Sequence, residues 1–142
     1  MLIDDLKRVQ ADTFAFYAKS HYYHWNVEGA DFVQYHEFLG DIYTEAFGAV
    51  DTIAEWVRQL DAYAPGVRRM ITELTRIQDD ITIPEAKEMF RKLLADNDTI
   101  LEGLVTCYMS AESAGEIGLS NFIQDRIAVH KKHAWMLKSI LK

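Results

Sequence analysis

Two histidines and two carboxylates are the residues of this chain best suited to chemistry. His24 and His36 flank the turn around Gly29, and Asp51 and Glu55 lie further along the stretch that follows it. Imidazole nitrogen combined with carboxylate oxygen suits iron, zinc or manganese rather than calcium or magnesium alone. A redox reaction at such a centre would also need open positions for peroxide or oxygen. Distance is the obstacle. If His36 and Asp51 share one helix, a rise of about 1.5 Å per residue separates them by roughly 22 Å, so they cannot hold one metal ion within a single chain. Their azimuths do agree: Asp51 comes round to within roughly 60° of His36, and Glu55 to within roughly 100°. Two copies of the helix packed antiparallel about a two-fold axis would set the carboxylates of one chain over the histidines of the other, giving a metal-binding dimer with two sites.

The rest of the sequence supplies helices to position these groups. Leu2, Leu6, Val9, Phe14, Phe16, Tyr17, Tyr22 and Trp25 recur at helical spacing, with Lys7, Arg8, Asp12 and Lys19 between them, so a first helix is expected from about Ile3 to Val27. Gly29 is a stop signal and Asp31 an N-cap for a second helix from about Phe32 to Leu60 or Asp61. Its core stripe is Tyr35, Leu39, Ile42, Ala46, Val50, Ile53, Val57 and Leu60. Beside it Gly40, Thr44 and Gly48 recur every fourth residue. Glycine costs a helix up to about 1 kcal/mol relative to alanine, and close approach of another backbone is a reason to retain two on one face. The two-fold axis inferred from the histidine and carboxylate ends falls near Thr44, in the middle of that row.

Ala64-Pro65-Gly66 closes the second helix, and Val67 to about Ile77 reads as a short amphipathic helix in a long connection. Such a crossover lets the second and third long helices of a four-helix bundle run parallel. Pro84 suits the first turn of a third helix that carries Ala86, Met89, Phe90, Leu93, Leu94, Ile100, Leu101, Leu104, Val105 and Tyr108 and ends at Gly115. A fourth starts between Glu116 and Ser120 and turns Phe122, Ile123, Ile127, Ala134, Trp135, Leu137 and Leu141 inward. The fold class is therefore all-α, one domain over 142 residues.

A formal charge of −7 argues against a nucleic-acid surface as the main business of the fold and suits attraction of cations. Cys107, the single cysteine, is expected to pack as a small hydrophobe. No signal peptide or membrane span is evident, and a cytoplasmic location is expected.

The string His24-Trp25-Asn26-Val27-x-Gly29-x-x-Phe32-x-x-x-His36-Glu37, followed by Tyr43-x-Glu45 and Asp51-x-Ile53-Ala54-Glu55, closely resembles the Dps family of mini-ferritins. The stretch from His130 to Leu137 is similar to that family's last helix, so the resemblance covers nearly the whole chain. It implies a ferritin-like four-helix bundle assembled as a hollow cage of twelve subunits. It also implies ferroxidase sites at two-fold interfaces, with His24 and His36 from one subunit and Asp51 and Glu55 from the other. The activity implied is oxidation of Fe(II), typically by hydrogen peroxide, with Fe(III) stored in the cavity. Larger ferritins build their site within one bundle from Glu-x-x-His pairs, and no glutamate here is followed three residues later by histidine.

Two departures from the family pattern stand out. Members commonly carry an aspartate four residues after the second histidine, where this chain has Gly40; Asp41 is rotated by about 100° and is not an automatic substitute. The site is then expected to be one ligand short, with weaker iron affinity or a water in that place. Helix begins almost at Met1 and only Lys142 follows Leu141, so the basic tail of DNA-binding members is not expected, nor is strong DNA binding. The rival readings are a DNA- or partner-binding cage with a degraded site and a redox-silent cage holding zinc. Trp25 is expected beside the site, as an oxidisable group or as packing, and His21 could support it. Glu37, Asp41 and Glu45 could face the cavity as mineral-nucleating carboxylates or lie on a solvated face. His130 and His133, with Lys131 and Lys132 between them, are expected to form a surface patch.

Overall fold

In the computed structural model, which describes residues 1–142, five helices follow in order with no strand. They are α1 (Leu2–Asn26), α2 (Phe32–Gln59), a short α3 (Val67–Arg69) that widens into a π turn over Met70–Leu74, α4 (Ala86–Ser113) and α5 (Ile117–Leu141). The four long ones form the expected four-helix bundle, each within a few residues of its expected limits. No helix is long and apolar enough to cross a membrane. Two ends differ in detail. Asp31 caps α2 through its backbone carbonyl, which accepts from Tyr35 N–H, and not through its side chain. Pro84 precedes the first turn of α4, whose cap is Glu85.

Side-chain contacts fix the topology. Asp5 near the start of α1 meets Ser110 near the end of α4, and Lys19 reaches Asp96, so α1 and α4 are antiparallel. Tyr35 and Phe90 meet edge to face near the starts of α2 and α4, which therefore run parallel, as the long crossover requires. Leu6, Phe16, Tyr23, Leu39, Ile53, Phe90, Leu93, Leu104 and Leu119 belong to one apolar cluster between the helices. Ala49 is buried where the sequence pattern suggests Val50, which is only half-buried. Trp135 and Val105, expected inward, are exposed. Both sit at the edge of an apolar stripe, where one residue of helical rotation decides between core and solvent.

Asp12 and Lys19, which read as polar positions between apolar ones, are buried because the crossover packs on that face of α1. The Asp12 carboxylate accepts hydrogen bonds from Thr75 Oγ1 at 2.8 Å, the Arg76 backbone N–H at 2.7 Å and the Arg76 guanidinium at 3.2 and 3.3 Å. Lys19 pairs with Asp96 and donates to the Gln78 carbonyl at 3.0 Å. Capture of residues 75 and 76 by Asp12 accounts for the crossover helix ending at Leu74 rather than near Ile77: Thr75 turns extended to place its hydroxyl and the next N–H on one carboxylate. Burial and the Asp5 charge push the Cys107 thiol up to about 12, so this cysteine packs and does not react.

Replacing Asp12 by alanine takes the acceptor from the half-buried Thr75 hydroxyl and the Arg76 backbone N–H, while the exposed Arg76 guanidinium turns to water, and a loss of about 1 to 2 kcal/mol is expected in urea unfolding. A change below about 0.5 kcal/mol would mean that the crossover is held mainly by its apolar contacts.

Candidate metal centre

The loop over residues 27–31 is short, so the end of α1 and the start of α2 lie side by side and His24 comes level with His36. The two imidazoles are nearly parallel, 17° apart with centroids at 3.8 Å. Each Nδ1 lies against the other residue's backbone carbonyl, His24 to His36 O at 2.7 Å and His36 to His24 O at 2.8 Å. A carbonyl only accepts, so both Nδ1 atoms carry hydrogen, and in each neutral ring the lone pair must reside on Nε2. A hydrogen bond on one ring nitrogen that fixes the other as the ligand is the arrangement found at metal-binding histidines.

Aromatic groups surround the pair. His21 stacks on Tyr43 at 3.8 Å and 7°, its Nδ1 shares a 3.1 Å hydrogen bond with Tyr17 Oη, and Trp25 lies at 4.2 Å from it. Burial and the neighbouring His24 hold the His21 pKa below the ordinary histidine value. Trp25 is 63% exposed, so it contributes little to the core of its own chain.

Asp51 and Glu55 sit on an exposed stretch of α2, and neither makes a side-chain hydrogen bond or ion pair within the chain. No three or more His, Cys, Asp or Glu side chains within the chain are placed to hold a metal ion. Thr44 is exposed, nothing lies within 4 Å of where a Gly48 Cβ would stand, and Phe47 is 59% exposed. Glu37 is exposed on the same helix. Asp41 faces α5, in a groove with Glu45, Lys132 and His133, and so does not take the place of a carboxylate at position 40.

The expected surface patch at His130 and His133 is incorrect, because both are buried. Their spacing places them on one face while Lys131 and Lys132 rotate outward, so lysines adjacent in sequence are not adjacent in space. Glu45 is not free to face a cavity as a mineral-binding group either. Its carboxylate pairs with both terminal nitrogens of Arg126 and accepts a hydrogen bond from His133 Nε2 at 3.2 Å. Burial alone would raise the Glu45 pKa, but the bonds from His133 and Arg126 and the guanidinium charge outweigh it and hold the group at about 2. Arg126 also donates to His130 Nε2 at 3.0 Å, and His130 Nδ1–H donates to Asn97 Oδ1 at 2.7 Å. The network links α2, α5 and α4, and Phe16 of α1 packs on both imidazoles. Sequence reasoning missed Arg126 and Asn97, although Arg126, His130 and His133 at intervals of four and three lie on one face of α5.

A family model described as a Ferritin-like domain matches residues 3–142. A DNA protection during starvation protein of Helicobacter pylori is 29% identical over 137 residues, 96% of this chain and 95% of that protein. Antigen TpF1 of Treponema pallidum is 30% identical over 145 residues, 99% of this chain and 80% of that protein. A crystal structure of that antigen aligns with a TM-score of 0.95 over 99% of this chain and 91% of its own. A Dps protein from Vibrio cholerae O1, described as a member of a broad superfamily of ferritin-like diiron-carboxylate proteins, aligns with a TM-score of 0.95 at 25% identity, over 99% of this chain and 89% of its own.

The buried network makes the fold acid-sensitive. Burial, then the charges of Arg126 and His133, lowers the His130 pKa well below 6.5. The unfolded chain therefore binds the proton first, and stability falls as pH drops below about 6.5, by at most about 1.4 kcal/mol per pH unit from this group. His21 adds in the same direction; Glu45, whose pKa is also depressed, contributes stability that is lost only below about 4.5. Urea unfolding between pH 7 and 5 should show a shallower pH slope in His130→Gln than in wild type, and equal slopes would refute the assignment.

Proposed function

The chain belongs to the ferritin-like family, in its Dps branch, and from that premise we propose that it oxidises and stores iron. The proposed site lies between two subunits, with His24 and His36 from one and Asp51 and Glu55 from the other, in a cytoplasmic cage of twelve. The observation that carries this reading is the histidine pair, whose rings each direct one nitrogen to a carbonyl and keep the other for a metal ion. The pattern of α2 supports it: an unpartnered carboxylate pair lies at the far end, and exposed Thr44 and open Gly48 lie midway, where the two-fold axis is required.

Fe(II) is the substrate. The donors fit it, since nitrogen from neutral imidazole and oxygen from carboxylate are ligand types that iron accepts. In the proposed reaction two Fe(II) ions each lose one electron, and one hydrogen peroxide takes both electrons and two protons to become two water molecules. His24 and His36 hold the ion through Nε2, and Asp51 and Glu55 offset its charge. Fe(III) then moves to acidic groups on the inner wall. Of the three carboxylates expected to serve there, exposed Glu37 and groove-lining Asp41 are available, whereas Glu45 is committed to Arg126. Consumption of Fe(II) and peroxide together removes the reagents from which hydroxyl radical forms.

Anaerobic Fe(II) titration followed by a peroxide pulse tests the proposal, with ferric absorbance as the signal. Wild type should oxidise iron rapidly, and Asp51→Ala/Glu55→Ala should slow by on the order of tenfold or more. Sedimentation should give both proteins twelve times the 16.4 kDa chain mass. Wild-type oxidation no faster than buffer would defeat the ferroxidase reading and turn attention to zinc, DNA or partner binding.

A further inference from the structure

One atom of Arg126, Nη2, stands where side chains of α2 and α5 converge. It donates to Glu45 Oε1 at 3.0 Å and to His130 Nε2 at 3.0 Å, and the same Oε1 lies 3.2 Å from His133 Nε2. One carboxylate and two imidazoles about a cationic centre are a donor set that zinc or iron takes in proteins. The surroundings match as well. His130 Nδ1–H donates to Asn97 Oδ1 at 2.7 Å, and Asn97 Nδ2 donates to the His130 carbonyl at 2.9 Å, so the ring is held with its lone pair on Nε2. A groove of about 310 Å³ between α2 and α5 leads to Glu45 and His133, with exposed Asp41 on its wall as an entry for cations.

We propose that Arg126 fills a latent metal site in the bundle: its guanidinium takes the place of a divalent ion among Glu45, His130 and His133 and so keeps metal out of the core. With the arginine in place the three groups are spent on it, and no metal-holding cluster exists within the chain. Arginine suits the task because it stays charged and its planar fork reaches carboxylate and imidazole together. Only 7% of its side chain is exposed, so it does not swing aside into solvent. Without it, His130 offers Nε2 at once, and His133 does so once its ring hydrogen moves to Nδ1, a change open to any neutral imidazole. The inference uses none of the interfacial residues and stands apart from that centre.

The test adds Arg126→Ala to full-length Asp51→Ala/Glu55→Ala protein, whose own Co(II) binding is the background. The readouts are Co(II) titration by visible absorption and thermal melting with and without Co(II). Arg126→Ala should take up one further Co(II) per chain, about tenfold or more tighter than background. Co(II) should also raise its melting temperature more than that of the parent, because an ion that binds only the folded chain stabilises it. Adding Glu45→Gln or His130→Gln should abolish both gains, and Arg126→Lys, which keeps a cation in place, should show neither. If Arg126→Ala is unfolded without metal, Co(II) must restore its helical circular dichroism. The proposal is overturned if no further Co(II) binds, if metal does not restore an unfolded variant, or if the gain survives Glu45→Gln and His130→Gln. Equal uptake by Arg126→Lys and Arg126→Ala would overturn it too.

Discussion

Each of two imidazoles donates a hydrogen bond to the other's backbone carbonyl, and this exchange requires one register of the α1–α2 hairpin. His24 must lie level with His36, which in turn sets Tyr17 and His21 against Tyr43. A slip of one residue would rotate a ring by about 100° and remove both bonds. The short loop makes that register accessible, and the core residues Tyr23 and Leu39, one position from His24 and three from His36, hold it. The chemistry of the centre thus depends on apolar packing, because burial of the hairpin decides which imidazole nitrogen remains available.

The same accounting explains why the interior of the bundle offers a metal ion no free donors. Its interior contains a carboxylate and two histidines near one another, but Arg126 is already there as a fixed cation. Its guanidinium neutralises Glu45 and donates to the lone pair of His130, while the other nitrogen of His130 is taken by Asn97. A divalent ion would have to displace a buried charge from its partners, which typically costs several kcal/mol. The uncommitted donors are those on exposed or half-exposed parts of α1 and α2, and they are too far apart along one helix to meet in one chain.

Much of this was legible in the sequence. Helical periodicity gave the four long helices and the crossover, and the count of residues from His36 to Asp51 set those two groups too far apart to meet within one chain. What was not legible depended on contacts between distant segments. Asp12 and Lys19 read only as polar positions between apolar ones because the segment that buries them begins some fifty residues later. His130 and His133 looked exposed because charge was read along the sequence, where Lys131 and Lys132 intervene, and not around the helix. Glu45 looked available because its partner Arg126 lies on another helix. Gly40 looked like a lost ligand, and only the fold shows that it lies against the His24 ring.

The proposed four-ligand set, with one carboxylate fewer than the family pattern, also has a consequence for turnover. Two neutral imidazoles and two carboxylates carry a formal charge of −2, which balances Fe(II) and leaves one positive charge after oxidation. Fe(III) is a harder ion, better matched to oxygen than to imidazole nitrogen. On the proposed assembly, oxidation leaves the product poorly matched to the site that bound the substrate, in both charge and donor type. An acidic inner wall then offers the ferric ion a better set of ligands than the centre does. On that proposed assembly a third carboxylate would balance the ferric charge and favour retention, and its absence favours release.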